Sequence, residues 1–260
     1  METRAFTLDR IASGTECRFL AVNRGAAPVT VVVKMSGRLA LSDKKWPLRE
    51  VVAPNSTREI ARVFAKGNVA PCRVDVSHSE SIGDAFATPD ARYPYRLPFK
   101  KGEKVRVMQE PNGVITTHKD AMLRYAVDFG VRKGTLVLAA RAGVVIEVRD
   151  GFSVGRPDPA LAEKVNFISI IHDDGTFAQY VHLAPGGVLV RPGEKVEESQ
   201  PVGYSGNTGF SGGPHLHFDL RRAVIRPDGT VTQESLPVSF FCRGTEERIP
   251  LRRRMQITVD

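Results

Sequence analysis

The run Ser205-Gly206-Asn207-Thr208-Gly209-Phe210-Ser211-Gly212-Gly213-Pro214-His215-Leu216-His217-Phe218 constrains this chain more than any other segment. Turn residues, with four glycines and one proline among them, deliver the chain into a short apolar stretch carrying His-x-His. In a strand, residues i and i+2 point to the same face with Cα atoms roughly 6.5–7 Å apart. His215 and His217 therefore share one side of a sheet, close enough for one to hold a metal while the other works beside it. A plainer role is open to any such pair, as half-buried strand residues bonded to their neighbours. The distribution of histidine favours chemistry. Of His78, His118, His172, His182, His215 and His217, five fall between positions 118 and 217, each next to strand-like sequence. Histidine is the commonest metal ligand and the usual proton carrier near neutral pH.

The rest of the chain has the texture of strands and turns, with almost no helical period. In residues 1–90 the strand-like runs are Arg18–Val22, Val29–Met35, Arg49–Val52, Glu59–Phe64 and Cys72–Val76, separated by turn signals. That spacing predicts a small β-sandwich of roughly seven strands. Ala87–Pro98 carries three prolines and reads as extended, which places a linker at 91–100. From Lys104 to Leu220 the strands are longer; Gly143–Val148, Phe167–His172, Phe177–Val181 and His215–Leu220 are the clearest. Val188–Gly203 has the form of a β-hammerhead-like hairpin turning at Arg191–Glu194, and Asp158–Lys164 is the one short helical piece. The expectation is an all-β chain: a sandwich at 1–90, an antiparallel β-sheet domain at 101–225 and a β extension at 226–260.

Composition excludes several classes. At 260 residues, with 42% hydrophobic and 25% charged residues, the chain is an ordinary globular protein with room for one large or two modest cores. Its net charge of +8 favours polyanions such as an anionic cell wall. The one local concentration, Arg252-Arg253-Arg254, is too short for a nucleic-acid site and has no aromatic-rich basic motif beside it. Cys17, Cys72 and Cys242 show no zinc-ribbon spacing. A Cys17–Cys72 disulfide and two separate buried thiols both fit. No stretch reaches the length of a membrane span, and the first thirty residues lack the pattern of a signal peptide. The chain is then cytosolic or has lost an export signal. There is no His-Glu-x-x-His helix, nucleophile elbow, P-loop or dinucleotide fingerprint.

A catalytic zinc takes three protein ligands and leaves one position for water. Asp128 stands inside the apolar run Tyr125–Phe129, where an unpaired carboxylate is costly, so it is a turn aspartate or it faces a cation. His118 follows the Pro111-Asn112-Gly113 turn in a polar stretch with little core to hide it. His182 follows Tyr180-Val181 at a strand end. His172 reads as structural beside the Asp174-Gly175 turn, and His78 as a surface residue.

Asp128-Phe129, Lys133-Gly134-Thr135, Gly143-Val144-Val145, Tyr180-x-His182-Leu183, Pro192-Gly193-Glu194, Gly203-Tyr204-Ser205-Gly206-Asn207-Thr208-Gly209 and Gly213-Pro214-His215-Leu216-His217-Phe218 occur in this order within residues 100–220. In that order they resemble the M23 zinc metallopeptidases, the LytM/lysostaphin-type cell-wall endopeptidases. The resemblance implies Zn2+ held by His118, Asp128 and His217, with His182 and His215 as the catalytic pair. It further implies a peptidoglycan peptide as substrate, hydrolysed by metal-activated water in the periplasm, the cell envelope or outside the cell. Asn207, Thr208 and Ser211 then stand where substrate would be touched. The commoner family pattern places the first ligand four residues before the aspartate, and Arg124 occupies that position here. A variant with the histidine further upstream matches His118, with Lys119–Arg124 as a loop that folds back. Two rivals remain. One is a catalytically inactive LytM-like module that binds the wall and activates another hydrolase. The other is a β-hammerhead carrier, which needs a tip lysine motif absent here. Residues 1–90 would dock on the wall, inhibit the groove intramolecularly or hold a partner.

Overall fold

The computed structural model of the chain describes residues 5–36, 40–65, 74–114, 116–242 and 247–260. It divides into two compact units, residues 1–87 with 223–233, and residues 88–222 with 234–260. Structure is almost wholly β. A single 3-10 turn, Pro159–Leu161, is the one helical element among the described residues, capped by the Asp158 carboxylate on Ala160 N–H. The sequence-predicted helical piece is therefore one turn long. No helix of the described residues is long and apolar enough to cross a membrane.

In the first unit, strands β1 (Phe6–Ser13), β2 (Glu16–Asn23), β3 (Val29–Ser36), β4 (Ala40–Ser42), β5 (Leu48–Val52), β6 (Ser56–Ala65) and β7 (Asp75–Ile82) form two antiparallel sheets, ordered β1-β2-β6-β4 and β5-β3-β7. Strict alternation drives this arrangement. Along β2 every second residue is buried, and Cys17, Phe19 and Ala21 meet Val31, Val33, Val52 and Val63 in one apolar cluster. β1 escaped sequence prediction because most of it is exposed and carries no clean alternation. Cys72, and with it the pairing to Cys17, lies outside the described residues.

The remaining strands, in the second unit save for residues 223–225 and 231–233, are β8 (Lys104–Gln109), β9 (Val127–Gly130), β10 (Leu136–Leu138), β11 (Gly143–Arg149), β12 (Gly155–Arg156), β13 (Phe167–Ile171), β14 (Phe177–Val181), β15 (Leu183–Val188), β16 (Lys195–Val196), β17 (Pro201–Ser205), β18 (Gly209–Phe210), β19 (Leu216–Ile225), β20 (Val231–Leu236) and β21 (Gln256–Thr258). Its main sheet runs β16-β11-β13-β14-β19-β9-β8-β21, with β20 also on β19. Phe129, Tyr180, Phe218, Phe240, Ile168 and Ile170 fill the core beneath it, all of them fully buried. The Val188–Gly203 hairpin exists, closing at the Val188–Gly203 pair of β15 and β17. Its tip docks on β11, where Gly193 N–H donates to Val145 O at 2.7 Å and β16 pairs with β11.

Two boundaries expected from the sequence are corrected. The segment 91–100 is no free linker: Tyr95, Leu97 and Phe99 are buried in the second core. Prolines hold this stretch extended, and an extended chain with apolar residues at i, i+2 and i+4 buries one face. Residues 226–260 are no separate extension either. β21 pairs with β8 and sends Ile257 into the same core, while 226–233 groups with the first unit.

Gly155 marks a close approach that admits no side chain. β12 and β18 pair in parallel, and a Cβ on Gly155 would lie 1.5 Å from Asn207 O. Gly155→Ala is expected to lower stability by about 1–3 kcal/mol through forced separation of the two strands. Thermal unfolding checks this, and an unchanged midpoint would show that the loop yields freely.

Candidate metal centre

Strand β19 carries His217 in the middle of the main sheet, with Val181 of β14 opposite on one side and Asp128 of β9 on the other. Directly opposed residues bring their side chains together. His217 Nδ1 accordingly lies 3.1 Å from Asp128 Oδ1. The third member comes from outside the sheet. His118 Nε2 sits 3.5 Å from the same oxygen, its ring edge-on to that of His217 with centroids 4.8 Å apart. All three residues are buried, and one ligand atom from each falls within 4.8 Å of the other two.

His118 reaches Asp128 because the intervening chain folds back. Met122 N–H and Arg124 N–H both return to Asp120, and Ser235 N–H donates to Ala121 O at 2.9 Å, pinning the loop to β20. Gln109 closes the other end. Its Oε1 accepts from Thr117 N–H at 2.8 Å, while its Nε2 donates to Thr117 Oγ1 and to Asp128 Oδ2. One side chain therefore ties the residue before His118 to the carboxylate that His118 faces. Arg124 is exposed and stands apart from the cluster.

The donor set fits a divalent metal. Two atoms each about 2.0–2.1 Å from a tetrahedral zinc lie about 3.3–3.4 Å apart, and the Asp128–His217 and Asp128–His118 separations of 3.1 and 3.5 Å bracket that edge. Behind the cluster, Asp219 Oδ2 lies 2.9 Å from His217 Nε2 and its carboxylate is held in turn by Arg221. A carboxylate on the far nitrogen of a ligating imidazole fixes ring and tautomer. Asp219 was not among the residues expected from sequence, although it continues the His215, His217 spacing by one further step of two.

His182 and His215 stand beside this cluster, ring centroids 4.5 Å apart, with His182 6.0 Å from His217. His182 Nδ1 lies 2.6 Å from Thr208 O, and His215 Nδ1 2.8 Å from Gly213 O. A carbonyl only accepts, so both Nδ1 atoms carry hydrogen and both Nε2 atoms are left as acceptors. His215 Nε2 is 3.8 Å from Asp128 Oδ1 and so faces the ligands. His182 adopts φ of +66°, a left-handed backbone that costs about 1–3 kcal/mol away from glycine. Thr208, Ser211 and Asn207, the side chains expected to touch substrate, bond to the loop and to its neighbours. Thr208 Oγ1 donates to Leu183 O and accepts from Asn166 N–H. Ser211 Oγ donates to Asn207 Oδ1 at 2.6 Å and lies 3.3 Å from His215 Nδ1, while Asn207 Nδ2 donates to Gly155 O. His172 is buried against Ala142 O beside its turn, and His78 is exposed, as sequence suggested.

Burial alone would raise the Asp128 carboxyl, but the His217 hydrogen bond and the surrounding imidazoles outweigh it and hold the group well below the usual range. Burial works against His217 too, and its bonds to Asp128 and Asp219 reverse that, lifting it to about 9. Desolvation, with His215 and His217 close by, pushes His182 down to about 3 and also lowers His118.

Residues 123–231 match the model of peptidase family M23. The chain carries an M23 peptidase domain. Over 185 residues it is 32% identical to an uncharacterized metalloprotease of Buchnera aphidicola, covering 70% of this chain and 43% of that protein. It is 28% identical over 173 residues to the peptidoglycan DD-endopeptidase ShyA of Vibrio cholerae, covering 66% and 36% respectively. The solved catalytic domain of the antimicrobial peptidase lysostaphin from Staphylococcus simulans aligns at 32% identity over 47% of this chain and 79% of its own, with a TM-score of 0.32. The chain spans less than half the length of the first two relatives. His118 precedes the stretch that matches the M23 model.

Two expectations follow for the M23 domain. Asp219→Asn weakens Zn2+ affinity about 10–100-fold, read by competition with a chromophoric chelator; unchanged affinity would remove Asp219 from the centre. Without metal, stability should peak near pH 6.5. His217, raised to about 9, stabilises the fold below 6.5 and loses that contribution as pH climbs through about 9. His182 contributes fully above 6.5 and loses its share as pH falls toward about 3. Chemical unfolding of chelator-treated protein between pH 5 and 9 measures both limbs, and stability still rising above pH 8 contradicts the His217 assignment.

Proposed function

We propose that the M23 domain is a zinc-dependent endopeptidase that hydrolyses peptide cross-links of bacterial peptidoglycan, acting in the cell envelope or outside the cell. The observation that carries this reading is a buried His118/Asp128/His217 cluster with two further imidazoles, His182 and His215, packed beside it. Two histidines and a carboxylate form the ligand set of a hydrolytic zinc site, and their relative ShyA is named for cleaving peptidoglycan.

When bound, Zn2+ polarises a carbonyl oxygen and lowers the pKa of a coordinated water to about 7. His118 Nε2, Asp128 Oδ1 and His217 Nδ1 would hold it, with Asp219 orienting His217. His182 and His215 supply the proton transfers. With Nδ1 of each committed to a backbone carbonyl, Nε2 of one accepts a proton from the attacking water. The other, once protonated, steadies the developing oxyanion, and one of them returns a proton to the leaving amine. Thr208, through its carbonyl, and Ser211, beside His215 Nδ1, position this pair. Retention of both catalytic histidines disfavours the inactive, activator-type module, in which such rings would have no work.

His217→Ala should abolish zinc binding. His215→Ala should keep one zinc while turnover on purified peptidoglycan falls about 10²–10⁴-fold. Metal analysis and a chelator-sensitive digestion assay read the two effects. Full zinc in the first variant refutes the ligand assignment, and stoichiometric zinc without digestion by the unaltered chain transfers the protein to the activator class.

A further inference from the structure

Gln109 stands opposite Asp128 only because β8 is irregular at that point. Arg106 pairs with Gly130 and Val107 with Phe129, so an unbroken register would set Met108 against Asp128. The register instead shifts between Val107 and Gln109, and Gln109 takes that place. A bulge of this kind sets two residues of one strand against one of its partner and re-aims a side chain. Met108 is left 40% exposed over Gly130, where a Cβ would come within 2.9 Å of its Sδ. The exchange is chemical as well as geometric. A thioether has no hydrogen to donate, whereas a carboxamide offers two donor hydrogens and an acceptor oxygen.

The two oxygens of Asp128 are consequently served by different groups. Oδ1 faces ring nitrogens of His217, His118 and His215 at 3.1, 3.5 and 3.8 Å, and Oδ2 accepts from Gln109 Nε2. The amide has one workable orientation. Its Oε1 accepts the Thr117 N–H at 2.8 Å, which the nitrogen could not do, so Nε2 must face the carboxylate. The same side chain thus holds the residue before His118. His118 lies on a loop, in neither strand nor helix, drawn together at its base where Asn112 N–H donates to Arg124 O at 2.7 Å. Its distance from Asp128 is therefore set by ties across the loop rather than by a regular element. We infer that Gln109 is a positioning residue of the metal centre: it occupies Oδ2, presents Oδ1 to a divalent cation and sets His118 beside that oxygen. The inference rests on the zinc reading proposed above and goes beyond it by naming the side chain that assembles the ligand set.

The test uses the full chain, unaltered and as Gln109→Met, Gln109→Asn and Met108→Leu. Methionine is close to glutamine in length but makes none of its hydrogen bonds, and asparagine keeps the amide while falling one methylene short. Competition against a chromophoric chelator should show zinc affinity about 10–100-fold weaker in both Gln109 variants and unaltered in Met108→Leu. Two further readouts separate positioning from support of the fold. In metal-free protein, the Thr117 amide should exchange with solvent about tenfold faster in both Gln109 variants. Loaded with Co2+, both should lose intensity in the visible absorption band, because a carboxylate freed at Oδ2 can bind through both oxygens and raise the coordination number. Unchanged zinc affinity and cobalt spectrum in the two Gln109 variants overturn the inference, even where their thermal midpoints fall. An unaltered chain that takes up no zinc sinks the metalloenzyme reading and this inference together. Zinc uptake that depends on Gln109, without digestion of peptidoglycan, sinks the hydrolase reading and leaves the inference standing.

Discussion

A carboxylate buried among imidazoles governs the second unit. Asp128 is 3% exposed in a sheet interior, with ring nitrogens of His217, His118 and His215 at 3.1, 3.5 and 3.8 Å from one of its oxygens. Removing such a charge from water is expensive, and only nearby positive charge compensates it. In the protein alone that charge comes from the His217 imidazole, whose hold on a proton is strengthened by Asp128 and Asp219; a divalent cation would take its place. Either way the register of β9 against β19 is no longer free. A slip of one residue would turn Asp128 and His217 to opposite faces and strand the carboxylate in the core.

The same logic of fixed backbone extends to His182 and His215. The glycine-rich loop after β17 offers two carbonyls, of Thr208 and Gly213, and each holds a histidine in one tautomer. Side chains of Thr208, Ser211 and Asn207 are absorbed in bracing those carbonyls, and Gly155 lets a second strand close against the loop. His182 is held in a left-handed conformation that a free chain avoids. Such backbone strain is sustained where the surroundings over-determine it, and here the carbonyl bond and neighbouring rings do so.

Charge follows a related division. Five arginines of the second unit, Arg96, Arg141, Arg156, Arg221 and Arg222, each hold a carboxylate, and Arg141 also stacks on Tyr93. Lys104, Arg106, Arg132, Arg253 and Arg254, which line one cavity, form no ion pair among the described residues. The net charge of +8 is therefore less informative than where it is left unbalanced.

Much of the centre was legible in the chain itself. His215 and His217 were placed on one face by the period of a strand, and Asp128 was marked by standing in an apolar run. Short strands with clean alternation, such as β2, declared themselves in the same way. Position 118 was recognisable only through resemblance to a family, since nothing local tells a loop histidine from a ligand. What tertiary structure alone decided were relations between residues remote in sequence: Gln109 bridging Thr117 and Asp128, the burial of Tyr95, Leu97 and Phe99, and the pairing of β21 with β8. Which strands become neighbours depends on packing and register summed over the whole sheet, and local periodicity carries no record of that sum.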